Sequence, residues 1–292
     1  MTVALVQMDI AWGDTRANIR TAERLMLSAA RSDLYVLPEM WNTGVNPDPR
    51  SLPLAPCPSP LAPCPLPLAP CPLQWMQQMA DRLDAAIAGS MAVSLPDGTY
   101  RNRLYFARPA PSPEVDGREG NCQPCQQSLP PRGEVWRGAF YDKHHLFSYG
   151  GETEHFTPGQ EQVTVEWRGV RFRLSVCYDL RFPLWLRNRD DYDALICVAS
   201  WPSVRMHAWK VLLQARAIEN QCYVLGVNRI GHDPYCDYSG GTTLVDPFGQ
   251  PTSCPDHEAS VLTQTLDLKR LRSFRRKFPV LEEMDAIPQV LT

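Results

Sequence analysis

Three apolar runs in this chain end on side chains that could carry acyl-transfer chemistry. Arg173-Leu174-Ser175-Val176-Cys177-Tyr178-Asp179-Leu180-Arg181-Phe182-Pro183 reads as a strand that ends on a thiol, after which the chain turns towards a helix expected at Pro183. Such a turn places the sulfur near backbone amides that can lower its pKa and bind an oxyanion. A buried structural cysteine fits the same segment, and no histidine partner is evident beside it. Glu39 follows Val36-Leu37-Pro38, and Lys143 follows Phe140-Tyr141-Asp142. Either charge alone reads as a solvated or ion-paired strand end. Together with Cys177 they supply base, oxyanion stabiliser and nucleophile.

Those strand ends need a scaffold, and the chain alternates the elements of one. Strands are expected over residues 3–8, 34–37, 85–93, 103–107, 170–176, 195–199, 223–227, 241–245 and 260–266, with another ending at Tyr141-Asp142-Lys143. Asp14 is placed to cap a helix whose apolar positions include Ile19, Ala22, Leu25 and Met26; further helices are expected over 73–83 and 206–220, with a short basic one at the C-terminus. This alternation predicts a layered α/β domain, with helices covering the sheets. A chain of 292 residues can bury enough surface to need no disulfide or metal staple.

Two tracts interrupt the pattern. Residues 54–73 repeat LAPCPSP, LAPCPLP, LAPCPL, and so many prolines exclude helix or central strand. We read residues 51–72 as a surface insertion, in preference to a ligand for proline-binding domains or a three-thiol metal site. A second insertion is expected over 109–135; its Cys122-x-x-Cys125 has no partner pair at zinc-ligand spacing. Outside these insertions, residues 1–292 read as a single domain.

A formal net charge of −3 gives no overall field for nucleic acid or an anionic membrane. Six cations in residues 269–277 read as a solvated or interface helix. No apolar run approaches the roughly 20 residues of a membrane span, and Asp9 falls too early for a signal-peptide core. The expectation is a soluble, cytoplasmic protein with reduced thiols. GxSxG, GxGxxG, Walker and HExxH motifs are all missing, which leaves serine-hydrolase, dinucleotide, nucleotide and zincin readings without support.

The strings Leu37-Pro38-Glu39-Met40-Trp41, Tyr141-Asp142-Lys143-His144-His145-Leu146-Phe147, Cys177-Tyr178-Asp179-Leu180-Arg181-Phe182-Pro183 and Gln214-Ala215-Arg216-Ala217-Ile218-Glu219-Asn220-Gln221 together resemble the nitrilase superfamily of carbon–nitrogen hydrolases. The resemblance covers almost the whole chain except the two insertions. Cys-Tyr-Asp is similar to the amidase branches, and the set is most like the omega-amidase group, which hydrolyses the side-chain amide of α-keto acids such as 2-oxoglutaramate and 2-oxosuccinamate. It implies a four-layer α-β-β-α sandwich, a homodimer or higher homo-oligomer, and no metal or organic cofactor. It also implies Glu39 as general base, Lys143 as oxyanion stabiliser, Cys177 as nucleophile passing through a thioester, and the Tyr178 amide as an oxyanion donor. Glu152, seven residues before the glycine of Pro158-Gly159, fits a second, positioning glutamate, and Glu154 does not.

Arg181, Arg205, His207 and Arg216 are the nearby donors for a substrate carboxylate, although Arg181 and Arg216 fit structural ion pairs as well. Of the aromatic residues Trp41, Phe182, Trp201 and Trp209, we expect Phe182 and Trp201 to wall the pocket, with Arg181 and His207 as the binding donors. His144 and His145 read as supports or surface groups. Rival readings are another amidase of the superfamily, acting on deaminated glutathione or a carbamoyl compound, and a scaffold recruiting partners through the Pro-Cys repeat.

Overall fold

The computed structural model describes residues 1–51, 71–110 and 137–283. Most of both expected insertions, Cys122 and Cys125 included, lies outside the described residues. Residues 71 and 72 of the first expected insertion are among the described residues. Cys71 is buried at the N-cap of a helix that opens with Pro72, a position where proline's missing N–H has no intrahelical acceptor to lose.

In chain order the elements are β1 (Thr2–Gln7), α1 (Thr15–Ser28), β2 (Leu34–Val36), α2 (Pro72–Leu83), β3 (Ala86–Ser94), β4 (Tyr100–Ala107), β5 (Gly138–Asp142), α3 (Glu152–His155), β6 (Thr164–Trp167), β7 (Val170–Val176), β8 (Ala194–Ala199), α4 (Met206–Glu219), β9 (Tyr223–Asn228), β10 (Ile230–His232), β11 (Asp237–Ser239), β12 (Thr243–Val245), β13 (Pro251–Ser253), β14 (Ser260–Thr265) and α5 (Leu268–Lys277). One sheet has the order β14-β1-β2-β3-β4-β5 and a second the order β13-β12-β9-β8-β7-β6; β10 and β11 form a separate hairpin. Both large sheets are mixed, with β1-β2-β3 parallel in one and β7-β8-β9 parallel in the other.

The period of two along each strand sorts side chains between layers. Val3 and Leu5 of β1 join Leu34, Val36, Leu104 and Phe106 in a core shared with Phe172, Leu174, Val176, Ile196 and Val198 of the second sheet. Ala4 and Val6, on the other face of β1, pack with Ile19, Ala22, Leu25 and Met26 of α1 and with Met76 and Met79 of α2. Leu195, Cys197 and Val224 likewise meet Trp209, Leu213 and Ala217 of α4. The result is the four-layer α-β-β-α sandwich. Because its central parallel strands are covered on both faces, they read as near-continuous apolar runs.

Sequence patterning misses β6, β10, β11 and β13, which are three or four residues long. β13 is exposed throughout, so no apolar alternation marks it. α5 is capped by Asp267, whose carboxylate accepts from Arg270 N at 2.9 Å. Its Arg275 is committed to the carbonyls of Gln221 and Tyr192 and to Asp190 and Asp193. Among the described residues, no helix is long and apolar enough to cross a membrane.

Candidate active site

The site begins where β2 and β7 run out. Beyond β2, Met40 takes a positive φ of 44°, and Met40 N donates to Ser90 Oγ at 3.0 Å. The chain thus turns immediately after Glu39, whose side chain is buried in the interior. Ser200, just beyond β8, donates its amide to Glu39 Oε2 at 2.9 Å. One carboxylate therefore ties strand ends of the two sheets together.

Lys143 follows β5, which is locked to β4 by the paired contacts of Arg103 with Asp142 at 2.7 and 2.8 Å. The Pro158-Gly159 segment presses on this point, and a Cβ at Gly159 would lie 2.2 Å from the Asp142 carbonyl oxygen. Only glycine permits that approach without displacing the backbone. Lys143 Nζ donates to Glu39 Oε1 at 3.0 Å and to both oxygens of Glu152, at 2.9 and 2.7 Å. Glu152 is held at the first position of α3 by an amide from Phe147 at 2.6 Å, whereas Glu154 is exposed. Asn102 Nδ2 donates to Glu39 Oε1 at 2.8 Å and to Glu152 Oε1 at 3.2 Å.

Two buried carboxylates, one ammonium group and one amide thus form a closed network. Burial alone would push the Lys143 amine towards neutrality, but Glu152 and Glu39 outweigh it and hold the ammonium well above the ordinary lysine range. Lys143 is a fixed cation here.

Cys177 has a φ of 48°, a conformation that costs a non-glycine residue about 1–3 kcal/mol. The compensating contacts converge on Asp179, which is fully buried. Asp179 accepts from Val176 N at 3.0 Å, Tyr141 Oη at 2.8 Å and His145 N at 2.8 Å, and its Oδ1 lies 3.0 Å from His145 Nδ1. The expected helix at Pro183 is absent; a 3-10 turn over Cys177–Arg181 takes its place, because Asp179 closes the chain within three residues of the strand. The expected lowering of the thiol pKa is also overturned. Burial and the neighbouring Glu39 carboxylate push Cys177 well above the usual thiol range, against the opposing pull of Lys143. The sulfur is thus held towards the neutral thiol beside a carboxylate.

Glu39, Lys143, Glu152 and Cys177 lie together in a cavity of about 370 Å³, with Tyr178, Arg181, Trp201 and Arg205 also lining it. The Tyr178 amide lies at the start of the 3-10 turn, where N–H groups lack intrahelical acceptors. Phe182 is not among the lining residues; it stacks on His145 with centroids 3.6 Å apart. His207 is exposed and also off the lining. Arg216 is buried and donates to Leu180 O at 2.6 Å and Glu219 Oε1 at 2.9 Å. Trp41 and Trp209 are core residues. His144 stacks on Trp185, and its Nδ1 lies 2.6 Å from Gly159 O.

Sequence reasoning passes over Asn102, which reads as one more polar residue in a strand, and over the hairpin residues Asp233, Tyr235, Cys236 and Tyr238 that complete the cavity wall. No local pattern marks them, because β10 and β11 reach the site only through the tertiary fold.

A layered sandwich with Glu, Lys and Cys gathered at one set of strand ends defines a class of hydrolase, and comparison with known proteins agrees. The family model for carbon-nitrogen hydrolases matches residues 2–276. The chain belongs to that family and is a hydrolase of carbon–nitrogen bonds other than peptide bonds. It is 35% identical to the omega-amidase YafV of Yersinia enterocolitica, over 98% of this chain and 97% of the relative. It is 30% identical to the 2-oxoglutaramate amidase of Bacillus subtilis, over 97% of each. Among solved structures, the XC1258 protein of Xanthomonas campestris, a CN-hydrolase superfamily protein with an arsenic adduct in its active site, superposes with a TM-score of 0.80 at 32% identity, over 98% of each chain.

Proposed function

We propose that the chain is an omega-amidase, hydrolysing the terminal amide of short α-keto acids such as 2-oxoglutaramate and 2-oxosuccinamate to the dicarboxylic keto acid and ammonia. The observation that carries this reading is the closed Glu39–Lys143–Glu152 network beside Cys177, in a chain matched along its length by relatives of that name.

The chemistry follows from the resting charges. Cys177 begins as a thiol, so Glu39 takes its proton as sulfur attacks the amide carbonyl. Lys143, pinned as an ammonium, offers charge rather than a proton, and with the Tyr178 N–H it stabilises the tetrahedral oxyanion. Glu39 then returns the proton to the departing ammonia, leaving a thioester on Cys177. A water molecule deprotonated by Glu39 attacks the thioester and releases the acid and the thiol. Glu152 and Asn102 set the position of Lys143 and Glu39. Arg181 and Trp201 line the substrate space; Phe182 acts through His145, and His207 stays outside it.

Val211 and Ile218 are exposed apolar residues on α4, which fits a homodimer that pairs sandwiches through helices in the cytoplasm.

The test is ammonia release by the purified protein from 2-oxoglutaramate, glutamine, a carbamoyl compound and a simple aliphatic nitrile, with Cys177→Ala as control. Release from the keto amide, lost in the variant, is expected. Release from the carbamoyl compound alone would replace this reading.

A further inference from the structure

The floor of the cavity performs the reaction, but nothing in it selects a carboxylated substrate, since Glu39, Lys143, Glu152 and Asn102 satisfy one another. We propose that Arg205 is the receptor for the substrate's distal carboxylate and thereby sets the preference for omega-amides over neutral amides. This rests on the amidase reading of the same site.

The sequence offers Arg181, Arg205, His207 and Arg216 as candidate donors, and the structure separates them. Arg216 is consumed by Leu180 O and Glu219, and His207 is off the cavity wall. Arg181 and Arg205 both line the cavity, and neither is in an ion pair among the described residues. Arg181 spreads over the deeply buried Trp201, its guanidinium carbon 4.9 Å from the ring centroid. Arg205 stands at the mouth instead. Its guanidinium lies 5.3 Å from the Phe147 ring and 5.9 Å from that of Tyr149, which is 86% exposed. On the hairpin side its charge reaches Cys236, where it opposes the rise in thiol pKa caused by burial.

The one further acid on the cavity wall does not neutralise it. Asp233 accepts from Tyr235 N, Cys236 N and Tyr238 Oη at 2.8, 2.9 and 2.7 Å, and the fully buried Arg229 lies 3.7 Å from its Oδ2. All three cavity carboxylates are thus committed, and Arg205 is left with aromatic neighbours and no anion. The backbone beneath it is fixed, because Trp201 Nε1 donates to Arg205 O at 2.9 Å while Asn228 holds Trp201 through both its amide and its carbonyl. A planar guanidinium held in this way offers a carboxylate two parallel N–H donors. A substrate whose amide carbon sits at Cys177 and whose chain runs outward meets that fork at the mouth.

The experiment measures kcat/KM for 2-oxoglutaramate, succinamate and glutaramate against the neutral amide of equal chain length, in the wild type and in Arg205→Met, Arg205→Lys and Arg181→Met. The readout is the ratio of carboxylated to neutral substrate within each protein. Arg205→Met is expected to lower this ratio about 10- to 100-fold, chiefly through KM, the range expected for a charge-assisted hydrogen bond. Arg205→Lys keeps the charge without the fork and is expected to recover part of it. A wild type without preference for any carboxylated amide, or a ratio that falls in Arg181→Met and not in the Arg205 variants, would overturn the proposal. If the wild type prefers succinamate or glutaramate over the keto amide and Arg205→Met removes that preference, the receptor stands and the keto-acid reading falls.

Discussion

The floor and the mouth of the cavity are built on opposite principles. On the floor, Lys143 is shared between two carboxylates that Asn102, Ser200 and Phe147 also hold. At the mouth, Arg205 lies against Phe147 and Tyr149 without a carboxylate partner among the described residues. Buried polar groups that satisfy one another are held rigidly; a cation without a counter-charge at an opening is available to a ligand. The proposed function assigns chemistry to the first region and the proposed carboxylate receptor assigns selection to the second, so perturbations of the floor should fall on every substrate alike and those of the mouth on the ratio between substrates.

The largest effect short of losing the nucleophile is expected from Glu39→Gln. It removes the proposed base, and kcat on all amides should fall by about 10²- to 10⁴-fold. The same substitution removes a carboxylate that pushes the Cys177 thiol up and leaves Lys143 pulling it down. The thiol should therefore titrate at lower pH even as hydrolysis is lost, a split measured by thiolate absorbance beside ammonia release. An unchanged thiol titration would separate Glu39 from Cys177.

Lys143→Met strands two buried carboxylates. Activity should fall by about 10²- to 10³-fold through the lost oxyanion charge, and denaturant unfolding should show a loss of about 3–5 kcal/mol. The sign of its pH dependence is set by the raised Lys143 pKa. Stabilisation by the ammonium is fully present below the unfolded lysine value of about 10.4 and is lost only as pH rises through the higher folded value. The stability gap between wild type and variant contributed by this group should therefore be flat across neutral pH and close at the alkaline end.

Asn102→Leu keeps the approximate volume and removes both donated hydrogen bonds. A smaller loss, about 10- to 100-fold in kcat with KM little changed, is expected on keto and neutral amides equally. A selective effect on carboxylated substrates would break the division between floor and mouth. The Arg205 variants are the complementary case, moving the ratio between substrates.

Much of this site is legible in the sequence because Glu39, Lys143 and Cys177 stand at the ends of apolar strands. Glu39, Lys143 and Cys177 stand out only as a set of strand ends, and the alternation of elements points to a layered α/β domain, the four-layer sandwich coming from the family resemblance. Glu152 emerges only through family resemblance, since a glutamate opening a four-residue helix carries no local signal. Asn102 and Asp179 are invisible for another reason. Each gains its role from partners far along the chain, Glu39 for one and Tyr141 for the other. A strand-to-helix turn suggests nearby amides and a lowered thiol pKa, but burial and the Glu39 carboxylate push it up. The choice among Arg181, Arg205, His207 and Arg216 is likewise tertiary, because the difference between them is which cation has already found an anion or a carbonyl.

The central claim is that Cys177 carries the acyl group, with Glu39 moving its proton and Lys143 fixed as a charge. The most direct measurement is the intact mass of the protein after acid quenching during turnover of 2-oxoglutaramate, with peptide mapping of any adduct. The account predicts a transient gain equal to the substrate less ammonia, located on the Cys177 peptide and missing in Cys177→Ala. Full ammonia release by Cys177→Ala, with no adduct on that peptide in the wild type, would contradict it.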